Sequence, residues 1–119
     1  MSFTSVFQRG YRNSITGRHF SGTQVGRFNN GNRLRGANLR QFGGYNNIHN
    51  AYGSNLSQNG YRNHAGNINY SNLSQHGRSN YVHGATGSNI HQHGGVNTAV
   101  GIHGGSLTQI GNSNFAAIG

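Results

Sequence analysis

Acid–base or nucleophilic catalysis needs a group that exchanges a proton near neutral pH and a second group to orient it. This chain contains no Asp, Glu, Lys or Cys. Ser and His are plentiful, but a Ser–His pair here has no acid to hold the imidazole. The run Gly94-Gly95 could cradle a phosphate, yet no P-loop lysine follows it. No enzymatic activity is expected. Without Cys there is neither a disulfide nor a thiolate metal site. Histidine remains as a ligand type: His91 and His93 are two apart, so they share one outward face of a strand, and His76 and His93 share a phase one repeat apart. These give no ligand triad and no supporting second layer. They read as solvated decoration, and neither a metal nor a cofactor is expected.

Charge is the second resource. All nine basic side chains are Arg, the net charge is +9, and seven of the nine lie within residues 1–40: Arg9, Arg12, Arg18, Arg27, Arg33, Arg35 and Arg40. Seven of the eight His lie from His49 onward. The plainer consequence is solubility and self-repulsion; the sharper one is attraction to polyanions. Aromatic residues are interleaved with Arg in Phe7-Gln8-Arg9-Gly10-Tyr11-Arg12 and Gly26-Arg27-Phe28, a combination that suits charge-plus-stacking contact with nucleic acid. DNA or an acidic polysaccharide is therefore an expected partner, held mainly by residues 1–40 and released by salt.

The third resource is amide. The motif Gln-x-Gly-x-x-Asn recurs with Gln8, Gln24, Gln41, Gln58, Gln75, Gln92 and Gln109, which are all the glutamines of the chain. Each is followed two residues on by Gly10, Gly26, Gly43, Gly60, Gly77, Gly94 or Gly111, and five residues on by Asn13, Asn29, Asn46, Asn63, Asn80, Asn97 or Asn114. The spacing is 16 residues once and 17 thereafter. A gapless period of this kind marks stacked repeats. A buried amide is costly when unpaired, but in a stack each amide bonds to the identical amide one layer away.

The elements that must position these amides follow from the period. At 119 residues the chain is expected to form one domain, 1–119, divided into repeats 4–19, 20–36, 37–53, 54–70, 71–87, 88–104 and 105–119. The abundance of Gly and Asn and the lack of any 3.6-residue apolar stripe exclude helix, and the absence of Pro leaves strand ladders unbroken. Two residues before Gln stands Val6, Gly22, Leu39, Leu56, Leu73, Ile90 or Leu107, giving the period-two alternation of a strand with one buried face. The glycine after Gln is expected to permit a turn, and Asn opens a second inward-facing strand. Each repeat thus reads as strand, turn, strand, turn, and the fold class as an all-β solenoid of seven coils. Seven and ten residues after Gln, the pairs Ile48/Ala51, Ala65/Ile68, Val82/Ala85 and Ala99/Ile102 exchange bulk within one core slot. Their odd separation predicts a bulge near Gly66, Gly84 or Gly101. Repeat two carries Gly22 and Gly31 where other copies have aliphatics, so its core is expected to be underfilled, and Gly22→Leu to stabilise it.

The copies Gln58-Asn59-Gly60-Tyr61-Arg62-Asn63-His64-Ala65 and Gln92-His93-Gly94-Gly95-Val96-Asn97-Thr98-Ala99 resemble the curlin repeat of bacterial curli subunits. The resemblance spans the whole chain and is strongest over residues 54–104. It implies a secreted β-solenoid that polymerises into extracellular functional amyloid for adhesion and biofilm matrix. The partners expected are further copies of the chain and a nucleator subunit. No apolar run is long enough to span a membrane, and the opening residues 1–9 contain no signal-peptide core, so no export leader is expected within them.

Overall fold

The computed structural model describes residues 4–118; residues 1–3 and 119, which the expected domain 1–119 includes, lie outside them. Ten strands follow one another: β1 (Thr4–Arg9), β2 (Arg12–Arg18), β3 (Phe20–Val25), β4 (Phe28–Arg35), β5 (Asn38–Tyr52), β6 (Asn55–Asn69), β7 (Asn72–His76), β8 (Ser79–His93), β9 (Val96–Ile110) and β10 (Ser113–Ile118). Every pairing is parallel, and each joins residues one repeat apart. The result is a β-solenoid of seven coils. Each coil has a first arm, carrying Gln, and a second arm, carrying Asn. In coils three and four the two arms run on as one bent strand, β5 and β6; β8 and β9 join the second arm of one coil to the first arm of the next.

A lone coil cannot satisfy its backbone, but stacking about 4.8 Å apart pairs N–H and C=O groups between coils. The core between the arms is a set of columns. Leu39, Leu56, Leu73 and Ile90 form one, and the exchanging pairs form two more, all buried. In-register stacking reveals a further order in these two columns. Along the stack they read Ile15/Gly17, Gly31/Leu34, Ile48/Ala51, Ala65/Ile68, Val82/Ala85 and Ala99/Ile102, so bulk changes side at each coil. Large and small side chains thereby interdigitate at near-constant volume per layer. The alternation breaks once, where Ala116/Ile118 lies on Ala99/Ile102.

The bulge lies between the two members of each pair. Arg33, Asn50, Asn67, Gly84 and Gly101 occupy it, all with positive φ. Gly84 and Gly101 match expectation, but in coil four the bulged residue is Asn67, while Gly66 stays in the ladder opposite His49. Asn tolerates the left-handed region well enough to serve where Gly was expected. Coil one lacks this residue: Thr16 and Gly17 pair with Asn32 and Leu34, stepping over Arg33. Coil seven lacks it too, since Ala117 and Ile118 pair with Val100 and Ile102, stepping over Gly101.

Two further expectations are corrected. Coil two is not underfilled. The ring of Phe20, itself buried, lies where a Cβ on Gly22 would be, 3.0 Å from Phe20 Cε1 and 3.3 Å from Ile15 Cδ1. Leu39 and Leu34 likewise occupy the space beside Gly31, their Cδ2 and Cδ1 atoms 2.6 and 3.3 Å from where its Cβ would be. The glycine after Gln serves space rather than conformation: none of the seven has positive φ. A Cβ on Gly26, Gly43, Gly60, Gly77, Gly94 or Gly111 would instead run into the carbonyl of the glycine one coil earlier. The turn that does need a left-handed residue is the other corner, at His19, Gly36, Gly53, Tyr70, Gly87 and Gly104.

Candidate functional site

Inside the stack the predicted amides form two continuous ladders. Gln24, Gln41, Gln58, Gln75 and Gln92 are wholly buried. Each donates from Nε2 to Oε1 of the glutamine one coil earlier, at 2.7–3.0 Å: Gln24 to Gln8, Gln41 to Gln24, Gln58 to Gln41, Gln75 to Gln58 and Gln92 to Gln75. Gln109 continues the series onto Gln92. The other Nε2 hydrogen of each goes to a carbonyl on the second arm of its own coil, for example Gln58 to His64 O at 3.0 Å. Glutamine therefore ties coil to coil and arm to arm.

The asparagines run the opposite way. Asn13 donates from Nδ2 to Oδ1 of Asn29, Asn29 to Asn46, Asn46 to Asn63, Asn63 to Asn80, Asn80 to Asn97 and Asn97 to Asn114, at 2.7–2.9 Å. Their second hydrogen reaches the carbonyl of the residue after Gln in the following coil, as Asn63 does to His76 O. Among the described residues no buried side-chain N or O lacks a hydrogen-bond partner. A polar core of this size is tolerable only on that condition.

A third column sits at the second corner. Ser54, Ser71 and Ser88 are buried; their hydroxyl oxygens accept from the backbone N–H of Ala37, Ser54 and Ser71, and their hydroxyls donate to Tyr52, Asn69 and Thr86 carbonyls. Its signal was present as Ser at one phase of the period, but only stacking shows that the side chain turns inward to close the corner. An exposed ladder also runs outside, from Asn89 to Asn72 to Asn55 to Asn38.

The two ends of the stack differ from its middle. Gln8 and Gln109 are half-buried and Asn114 is exposed. Among the described residues, coil seven presents Gln109 Oε1, which accepts from no further coil, and Asn114 Nδ2, which donates only to Gly111 O at 3.3 Å. Coil one presents an N–H of Gln8 beyond the one given to Ser14 O, and Asn13 Oδ1. Apolar side chains are exposed beside these groups: Phe7 at one end, Ile110, Phe115 and Ile118 at the other.

The seven early arginines do not form one surface. Arg9 and Arg40 lie on the outer side of the first arm. Arg33 sits at the bulge and Arg18 and Arg35 by the second corner, where the Arg35 guanidinium lies 5.1 Å from the Tyr52 ring. Only Arg12 and Arg27 stand at the first corner, and there Arg62 and Arg78 join them. Among the histidines, the His76 ring is 5.6 Å from His93 and 6.1 Å from His91. His64 lies between His49 and Tyr81, its Nδ1 3.0 Å from Asn47 Oδ1. Burial, then the His49 and His83 charges, holds its pKa below the usual 6.5. Among the described residues no three His, Cys, Asp or Glu come together as metal ligands, and no helix is long and apolar enough to cross a membrane. No family model, curated protein or solved structure matches this chain.

Proposed function

We propose that the chain is a structural subunit that polymerises head to tail into unbranched cross-β fibres. The observation that carries this reading is the opposed polarity of the two ladders. Coil seven ends on a glutamine acceptor and an asparagine donor; coil one begins on a glutamine donor and an asparagine acceptor. Setting coil one of a second copy on coil seven lets Gln8 donate to Gln109 and Asn114 donate to Asn13, continuing both ladders without a break.

Three further features agree. Coils one and seven both lack the bulge, so Ala116, Ala117 and Ile118 face Ile15, Thr16 and Gly17 with no residue left over. Proteins commonly guard sheet edges with bulges; here the mismatched registers lie one layer inside, where coils one and seven pair with coils two and six, and the edge coils themselves carry no extra residue. The small/large order of Ala116/Ile118 meets the large/small order of Ile15/Gly17, which resumes the alternation broken between coils six and seven. The contact is heterologous, so it generates a filament and not a closed ring. The extracellular, matrix-forming setting rests on the curlin resemblance alone.

Gly10 supplies the test. Its counterparts in coils two to seven have no room for a Cβ, because the preceding coil's glycine carbonyl is there; at Gly10 the nearest atom among the described residues is Asn13 Oδ1, 3.6 Å away. In a fibre the Gly111 carbonyl of the preceding copy would fill that space. The wild-type 119-residue chain is expected to form fibres with a meridional reflection near 4.8 Å and an advance of roughly 34 Å per subunit. Gly10→Ala is expected to leave the isolated chain as resistant to urea as wild type and to slow seeded elongation at least tenfold. A wild-type chain that remains a soluble monomer after long incubation overturns polymerisation; a Gly10→Ala chain that elongates at the wild-type rate overturns this junction.

A further inference from the structure

One edge of the stack, the corner between the two arms, gathers residues that the sequence scatters. In-register pairing sets Arg12, Phe28, Tyr45 and Arg62 in a single column, with Tyr11, Arg27, Tyr61 and Arg78 beside them at the preceding position. The pattern by coil is Tyr-Arg, Arg-Phe, Gly-Tyr, Tyr-Arg, Arg-Ser. Two pairs of guanidinium groups result, Arg12 with Arg27 and Arg62 with Arg78, each pair on adjacent coils. The pairs are separated by three coils, or about 14 Å.

Each of these guanidiniums rests by an aromatic ring. Arg12 is 6.0 Å from the Tyr11 ring centre and 5.6 Å from that of Phe28; Arg27 is 5.9 Å from Phe28, Arg62 5.8 Å from Tyr45 and Arg78 5.6 Å from Tyr61. Phe28 and Tyr45 stack on each other, 5.1 Å apart and 8° from parallel, which fixes the middle of the strip. Tyr11 and Tyr61 remain 61% and 49% exposed, leaving ring surface open beside a cation. With no Asp or Glu anywhere in the chain, none of the four arginines has an internal side-chain counter-charge.

We infer that this corner, through Arg12, Arg27, Arg62 and Arg78 and the exposed rings of Tyr11 and Tyr61, is a binding strip for single-stranded nucleic acid lying along the solenoid axis. Arginine forks match phosphate oxygens in bidentate fashion. Every nucleobase has a π-face for an open tyrosine, whereas a sulfated sugar offers charge without one. The strip lies within one subunit and does not depend on polymerisation.

The test is fluorescence anisotropy of a labelled dT20 strand with the 119-residue chain below any concentration at which it aggregates. Four phosphate contacts imply a salt slope of about −2.8, hence roughly a 20-fold loss of affinity from 50 to 150 mM salt. The variant Arg12→Gln/Arg27→Gln/Arg62→Gln/Arg78→Gln is expected to lose at least 20-fold in affinity and most of that slope. The variant Arg9→Gln/Arg18→Gln/Arg33→Gln/Arg40→Gln, with the same net charge, is expected to lose less than about fourfold. Tyr11→Ser/Tyr61→Ser is expected to weaken dT20 by roughly tenfold and to leave a heparin fragment's binding unchanged. Equal losses in the two arginine variants overturn the strip. Undiminished dT20 binding by the tyrosine variant, or heparin binding as tightly as dT20, overturns nucleic acid as its ligand.

Discussion

Gly10 and Gly60 hold the same place in the same motif, yet the stack treats them differently. A Cβ on Gly60 would meet the Gly43 carbonyl and lie 2.7 Å from Asn46 Nδ2, whereas one on Gly10 meets nothing nearer than 3.6 Å among the described residues. The same contrast holds for the amides. Gln58 is wholly buried between Gln41 and Gln75, while Gln109 has a partner on one side only. Interior coils are constrained by neighbours on both faces, and the end coils carry the same residues with one neighbour missing. The difference separates what a residue does for its own chain from what it does for the next copy.

The largest effect expected within the chain comes from Gly60→Ala, which puts a methyl group against a backbone carbonyl that cannot retreat without opening the ladder. A loss of about 3 kcal/mol in urea unfolding is expected. Gly10→Ala, with no such contact and no positive φ to strain it, should leave stability unchanged or raise it by up to about 1 kcal/mol. Similar losses at the two positions would erase the contrast.

Next comes Gln58→Ala. It deprives Gln75 Nε2 of its acceptor and Gln41 Oε1 of its donor in a dry interior, at a cost of about 2–3 kcal/mol. At the end of the ladder Gln109→Ala removes only the bond donated to Gln92 Oε1 and the arm-to-arm bond to Phe115 O, at a half-exposed site where water can take its place, and should cost about 1 kcal/mol in the isolated chain. If the two substitutions shift the urea midpoint equally, the end coil is as constrained as the interior.

Coil two sharpens the comparison from the packing side. With Phe20 Cε1 3.0 Å and Ile15 Cδ1 3.3 Å from the Cβ position, Gly22→Leu overfills a slot already taken. It is expected to destabilise by about 1–3 kcal/mol. A gain in thermal or urea resistance would show that the Phe20 ring yields its place.

The smallest effect is on pH. His64 has a folded-state pKa depressed below 6.5 by burial and by His49 and His83. A histidine depressed on folding stabilises the fold fully above its unfolded pKa. That contribution is lost as pH falls from about 6.5 through the lower folded value. Urea resistance should therefore decline between pH 7 and 5, and His64→Asn, which extends the Asn30/Asn47 column, should flatten the decline. An unchanged slope in that variant would assign the pH dependence to other histidines.

Much of this architecture was legible in the residues. Coil number, the phase of Gln and Asn, the inward aliphatic column and the reciprocal bulk of pairs such as Ala65/Ile68 all recur with the period, and a period is a one-dimensional property. What escaped was decided across the stack. The glycine after Gln is required by a carbonyl one coil away, not by its own turn. Phe20 fills the space of Gly22 because the second corner folds its ring back over coil two. Arg62 and Arg78, remote from the basic N-terminal third, fall on the same corner as Arg12 and Arg27 only because coils stack in register. Repetition along the chain determined which residues lie inward. Contacts perpendicular to the chain, set by corner geometry and the roughly 4.8 Å rise, decided which residues touch, and these contacts depend on side-chain shape that periodicity alone does not encode.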